Sequence, residues 1–137
     1  MWYTYALLSA FFAALTTIFA KVGIKGVDTD LATAIRTVVI LVIAWGIAFF
    51  RGATATMHTL SKQNVLFLCL SGLATGLSWV FYFKALQLGK VSQVAPVDKM
   101  SVAIAIILSI VFLGEPLTLK TAIGALLIIG GTLVLIS

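Results

Sequence analysis

Five apolar runs of about 20 residues, the length a helix needs to cross the ~30 Å hydrocarbon core of a bilayer, decide what this chain can become. They cover residues 3–22, 31–50, 64–83, 91–113 and 117–136. The connections between them are short. Residues 23–30 carry Lys25, Asp28 and Asp30, residues 51–63 hold the single histidine, His58, and residues 84–90 and the Gly114-Glu115-Pro116 turn complete the set. No water-soluble domain fits between the runs. Lipid offers no hydrogen bonds, so a spanning segment satisfies its own backbone as a helix or joins a closed barrel. Barrel strands are about 10 residues long and alternate in polarity, whereas these runs are longer and evenly apolar. The expected fold is therefore all-α: a polytopic transmembrane helix bundle of about five spans, forming one domain over residues 1–137. The first run lacks the basic n-region of a signal peptide and exceeds the usual h-region, so it reads as a retained first span.

Charge composition agrees. Only 9% of the 137 residues are charged and 62% are hydrophobic, against the roughly 25% charged that a water-exposed surface needs. The net charge of +5 comes from Lys and Arg placed mostly at the ends of apolar runs. With no clustered basic face, nucleic acid is not an expected partner; anionic membrane lipid is. Cys69 has no intrachain partner and reads as a small buried hydrophobe. The chain shows no clustered metal ligands, no nucleophile–base pairing and no phosphate-binding glycine loop, so neither enzymatic activity nor a cofactor is expected.

An odd number of spans puts the N-terminus, residues 51–63 and the Glu115 turn on one side of the membrane. Residues 23–30, residues 84–90 and the C-terminus fall on the other. The first side carries Arg51, Lys62 and Lys120 near span ends, and the second carries Lys21, Lys25, Lys84 and Lys90. Orientation follows an excess of Lys and Arg on the cytoplasmic side. This near-even division predicts weak orientational bias and room for insertion in both directions.

Ionisable residues inside spans are costly and mark functional sites. Arg36 lies about 8 Å into the second span and Asp98 about 10 Å into the fourth, at 1.5 Å per residue, with Lys99 beside it. The similar depth permits an Arg36–Asp98 pair, although Arg36 can also snorkel to the interface and Asp98 can pair with Lys84 or Lys99. Helical spacing aligns Asp98, Ser101, Ala105 and Ser109 on the fourth span, and Ser71, Thr75, Ser78 and Tyr82 on the third. Two such stripes would line a path between helices 3 and 4, or simply hydrogen-bond the helices. Pro96 removes a backbone donor opposite Ser92 and is expected to kink the fourth span, a device transporters use at binding sites. Trp79 and Tyr82 read first as packing residues and alternatively as faces for a cationic or aromatic substrate. Gly72 and Gly76 form a GxxxG packing motif, and Trp2, Tyr3 and Tyr5 an interfacial aromatic belt. Glu115, Pro116 and Thr118 read as a turn opening the fifth helix, with Pro116 in its first turn.

The runs Tyr82-Phe83-Lys84-Ala85-Leu86 and Val94-Ala95-Pro96, with the turn Leu113-Gly114-Glu115-Pro116-Leu117-Thr118 and the following Ile123-Gly124, Leu127-Ile128 and Gly130-Gly131, resemble the EamA-type members of the drug/metabolite transporter superfamily. Lys21 at the end of the first span fits the same pattern. The resemblance covers the whole chain, which looks like one five-span repeat. Larger members carry two such repeats in opposite orientation and move amino acids, metabolites, nucleotide-sugars or drugs. Asp98-Lys99 departs from that pattern, where apolar residues are expected after the proline. The resemblance implies a secondary transporter of a small solute in the cell membrane; the ionisable residues within the spans then make Asp98 the candidate coupling or substrate-cation group, with Arg36 or Lys99 as its counter-charge. Joined with the charge count, it implies an antiparallel homodimer. The alternative is a half-transporter or non-transporting subunit of a heteromeric complex, including a lipid flippase component.

Overall fold

The computed structural model describes all 137 residues. It contains five long helices, α1 (Trp2–Gly23), α2 (Thr29–Phe50), α3 (Lys62–Leu88), α4 (Val91–Phe112) and α5 (Leu119–Ile136), with a 3-10 helix, Ala53–Thr59, between α2 and α3. No strand is present. The shortest, α5, has 18 residues, about 27 Å of rise, and each of the five is long and apolar enough to cross a membrane.

Local chemistry opens and closes these helices. Asp28 caps α2 through Oδ1, which accepts from the N–H groups of Asp30 at 2.9 Å and Leu31 at 3.1 Å. Ser61 Oγ accepts from Asn64 N–H at 3.1 Å ahead of α3. At the far ends, Gly52 after α2 and Gly114 after α4 take φ of +67° and +69°, the left-handed turn that favours glycine at helix C-termini. Inside the spans several hydroxyls bond their own helix one turn back: Thr33 to Thr29 O, Thr37 to Thr33 O and Thr75 to Ser71 O, each at 2.8 Å. That bonding satisfies a polar group without water.

The chain divides into two compact units, residues 1–19 with 88–137, and residues 20–87. In the first, α4 and α5 form a helical hairpin closed by the Gly114 turn. Buried Ala103 lets the helices approach. Buried Thr132 donates across to Pro96 O at 3.2 Å as well as to Ile128 O at 2.8 Å. Thr132→Val removes that hydroxyl at nearly constant volume. Interhelical hydrogen bonds in membranes contribute about 0.6 kcal/mol on average, so thermal unfolding in micelles should show a destabilisation below about 1 kcal/mol. In the second unit the core gathers where α1 ends, α2 begins and α3 ends: Ala20, Ile24, Thr29, Thr33, Phe83 and Leu86 are all buried. Lys21 Nζ donates to Leu86 O. Gln87 Nε2 donates to Ile24 O at 3.1 Å and Val27 O at 2.8 Å, tying the α1–α2 connection to the last turn of α3.

Three expectations need correction. Residues 84–90 are mostly not a connection, because α3 continues to Leu88; Lys84 and Gln87 are polar positions within a helix. Pro116 does not enter the first turn of α5, whose N-cap is Thr118, accepting from Thr121 N–H at 3.1 Å. Cys69 is exposed rather than buried, since an apolar side chain in lipid gains nothing from facing inward.

Candidate functional site

In the second unit, α2 carries Arg36 two turns past its N-cap, while α3 places Trp79 and Phe83 four residues apart on one face. The Arg36 guanidinium carbon lies 4.2 Å from the Phe83 ring centroid and 5.6 Å from that of Trp79. Each cation–π contact is worth about 0.5–2 kcal/mol, more where water is excluded. Phe83 is itself 2% exposed and meets the edge of Tyr82 at 5.5 Å between centroids. Arg36 Nη1 is buried with no hydrogen-bond partner. Ring faces attract the cation but accept no N–H bond in line, so part of the guanidinium is electrostatically held and chemically unsatisfied.

In the first unit, Asp98 and Lys99 form an ion pair, Nζ to Oδ2 at 3.4 Å, with side chains 32% and 61% exposed. Beside it runs a groove of about 510 Å³ between α1 and α4. Its α1 wall is built from Ala6, Ser9, Ala10, Ala13, Ala14 and Thr17, and its α4 wall includes Val91, Ala95 and Lys99. Pro96 lies within α4, which continues as a helix through it.

Of the residues singled out from the sequence, Arg36 and Trp79 come together, as do Asp98 and Lys99. Ser71, Thr75, Ser78 and Ser101 lie on the exposed surface of the chain, and the Thr75 hydroxyl is spent on its own helix. The small neighbours of that α3 stripe, Gly72 and Gly76, have open space where a Cβ would stand, so intrachain packing does not use the GxxxG. Two features escaped the sequence reading. Phe83 is the closer platform for Arg36, and its i, i+4 relation to Trp79 was the available signal. The α1 wall of the groove was also missed, although Ala6, Ala10, Ala13 and Thr17 repeat at helical spacing.

Helices of this length and apolarity, with intramembrane charges held by aromatic and ionic partners, define a multi-pass membrane protein. The chain belongs to the EamA-like transporter family, which it matches over residues 1–137. It is 48% identical over 134 residues to an uncharacterized transporter in the cobO 3′ region of Sinorhizobium sp, covering 98% of this chain and 95% of that one. No solved structure matches.

Proposed function

We propose that the chain is a secondary transporter of a small solute in the cell membrane and works as an antiparallel homodimer, each copy supplying one half of an alternating-access pair. The observation that carries this reading is a single five-helix repeat whose flanking Lys and Arg are almost evenly divided between the two sides. Alternating access needs two structural halves rocking around a site, and oppositely inserted copies supply them when no charge excess fixes orientation. The exposed α3 face bearing Ser71, Gly72, Thr75, Gly76 and Ser78 supports the same reading, because small and hydroxyl residues suit a helix–helix interface better than lipid. Asp98, Arg36, Lys99, Trp79, Tyr82 and Ser101 are the remaining residues of the proposed path.

The test is topological. A C-terminal reporter active on only one side of the membrane, paired with one active only on the other, should give comparable signals. Adding two Lys residues to the 51–61 connection should drive the population to one orientation and reduce transport. A native C-terminus found on one side alone removes the antiparallel homodimer and leaves a parallel or heteromeric assembly.

A further inference from the structure

Within the second unit the balance of charge is one-sided. Residues 20–87 contain Lys21, Lys25, Arg36, Arg51, Lys62 and Lys84, against only two carboxylates, Asp28 and Asp30. Both stand at the opening of α2, and Asp28 Oδ1 is committed to two backbone N–H groups. Arg36 lies deeper, in the span, among Phe83 and Trp79. The rings hold its positive charge but accept none of its hydrogen bonds in the way an oxygen does, and Nη1 remains buried and unpartnered. A guanidinium presents five donors in a planar fork matched to two oxygens of one oxyanion. A charged donor without an acceptor is expensive to keep in a span, and an oxyanion that reaches the guanidinium offsets that cost. A cationic solute meets the opposite situation, because Arg36 already occupies the Trp79 and Phe83 faces and repels a second positive charge.

We propose that Arg36, backed by Phe83 and Trp79, is an oxyanion-recognition site, and that the transported solute is a small organic anion with an apolar body. This rests on the transporter reading above and names its substrate class. The carboxylate or sulfonate docks on the part of the half-buried guanidinium that the rings leave uncovered, and the apolar body lies along the exposed apolar surface of α2 and α3 beside it. The same chemistry would accept the phosphate of an anionic lipid, so the test separates the two sources.

Binding is read in detergent on the full chain, from the emission of Trp79 with Trp2 and Trp45 changed to Phe, and from the melting temperature of the unaltered protein. Three probes of similar size and different charge are titrated: benzoate, benzamide and benzylammonium. Benzoate should bind at least about tenfold more tightly than the other two, as expected for a hydrogen-bonded charge. Arg36→Gln should erase the difference, and Arg36→Lys, which keeps the charge and loses the fork, should retain a reduced preference. If Arg36→Gln fails to fold, the Arg36→Lys protein carries the decision, since an unchanged affinity and selectivity there overturns the site. Equal binding of all three probes, or a preference for benzylammonium, also overturns it. Phosphatidylglycerol that displaces benzoate at one lipid per protein assigns the site to lipid and overturns the solute reading. Flux into vesicles is measured separately with two permanently charged probes, benzenesulfonate and benzyltrimethylammonium. Uptake of the cation alone leaves the transporter standing and removes the anion site. Benzoate binding without uptake of either probe supports the site and counts against transport.

Discussion

Changing Asp98 to Asn is expected to lower pH-gradient-driven uptake of whichever permanently charged probe the wild-type protein carries by at least about tenfold, equivalent to about 1.4 kcal/mol of lost coupling, with little change in melting temperature. The chain has four carboxylates. Asp28 is the N-cap of α2 and Asp30 sits in its first turn, while Glu115 lies in the α4–α5 turn. Asp98 is the one set within a span, two turns into α4, so it is the carboxylate whose charge bears on an intramembrane path. Its ion pair with Lys99 is long and the lysine largely exposed. Asn keeps the size and hydrogen-bonding capacity of the side chain and removes only the charge, so the loss should appear in coupling and not in folding. Uptake that follows the pH gradient equally well in Asp98→Asn vesicles would exclude Asp98 from coupling.

The five helices were legible because spanning a bilayer demands long apolar runs, and nothing else in a chain this short produces them. Their ends were less legible. A run-based reading stops at Lys84, but a helix stops where its backbone bonding stops, and α3 continues through Lys84 and Gln87 to Leu88. There the Gln87 amide holds two carbonyls of the α1–α2 connection. The charged positions were visible at once, since any ionisable residue in an apolar run is conspicuous. Lys99 was among the partners expected for Asp98, but the partners of Arg36 were not visible. Sequence reasoning looks first for a countercharge, and aromatic residues in a membrane span are too common to be recognised as a cation's neighbours until the helices are placed. Cys69 shows a related limit: in lipid the outward face is as apolar as the inward one, so polarity does not reveal which way a thiol points.

Phe83→Ala should destabilise the protein strongly for a single truncation in the C-terminal half of α3, and the size of the effect follows from its surroundings. In water, emptying a buried phenylalanine costs about 3–5 kcal/mol, of which part is transfer of the ring out of solvent. In a membrane that part shrinks, because lipid tails are as apolar as the interior. What remains is the cavity left at a buried position, Phe83 being 2% exposed, and the ring under Arg36 at 4.2 Å. The sum is about 2–4 kcal/mol from the cavity and cation–π contributions together. Phe81, two residues earlier on the same helix and 71% exposed, supplies the control: Phe81→Ala removes the same ring from a lipid-facing position and should cost less than about 0.5 kcal/mol. Unfolding of both variants by SDS titration in mixed micelles gives the comparison. Equal stabilities would mean that Phe83 is not packed against the guanidinium, and with it would fall the aromatic backing on which the placement of Arg36 depends.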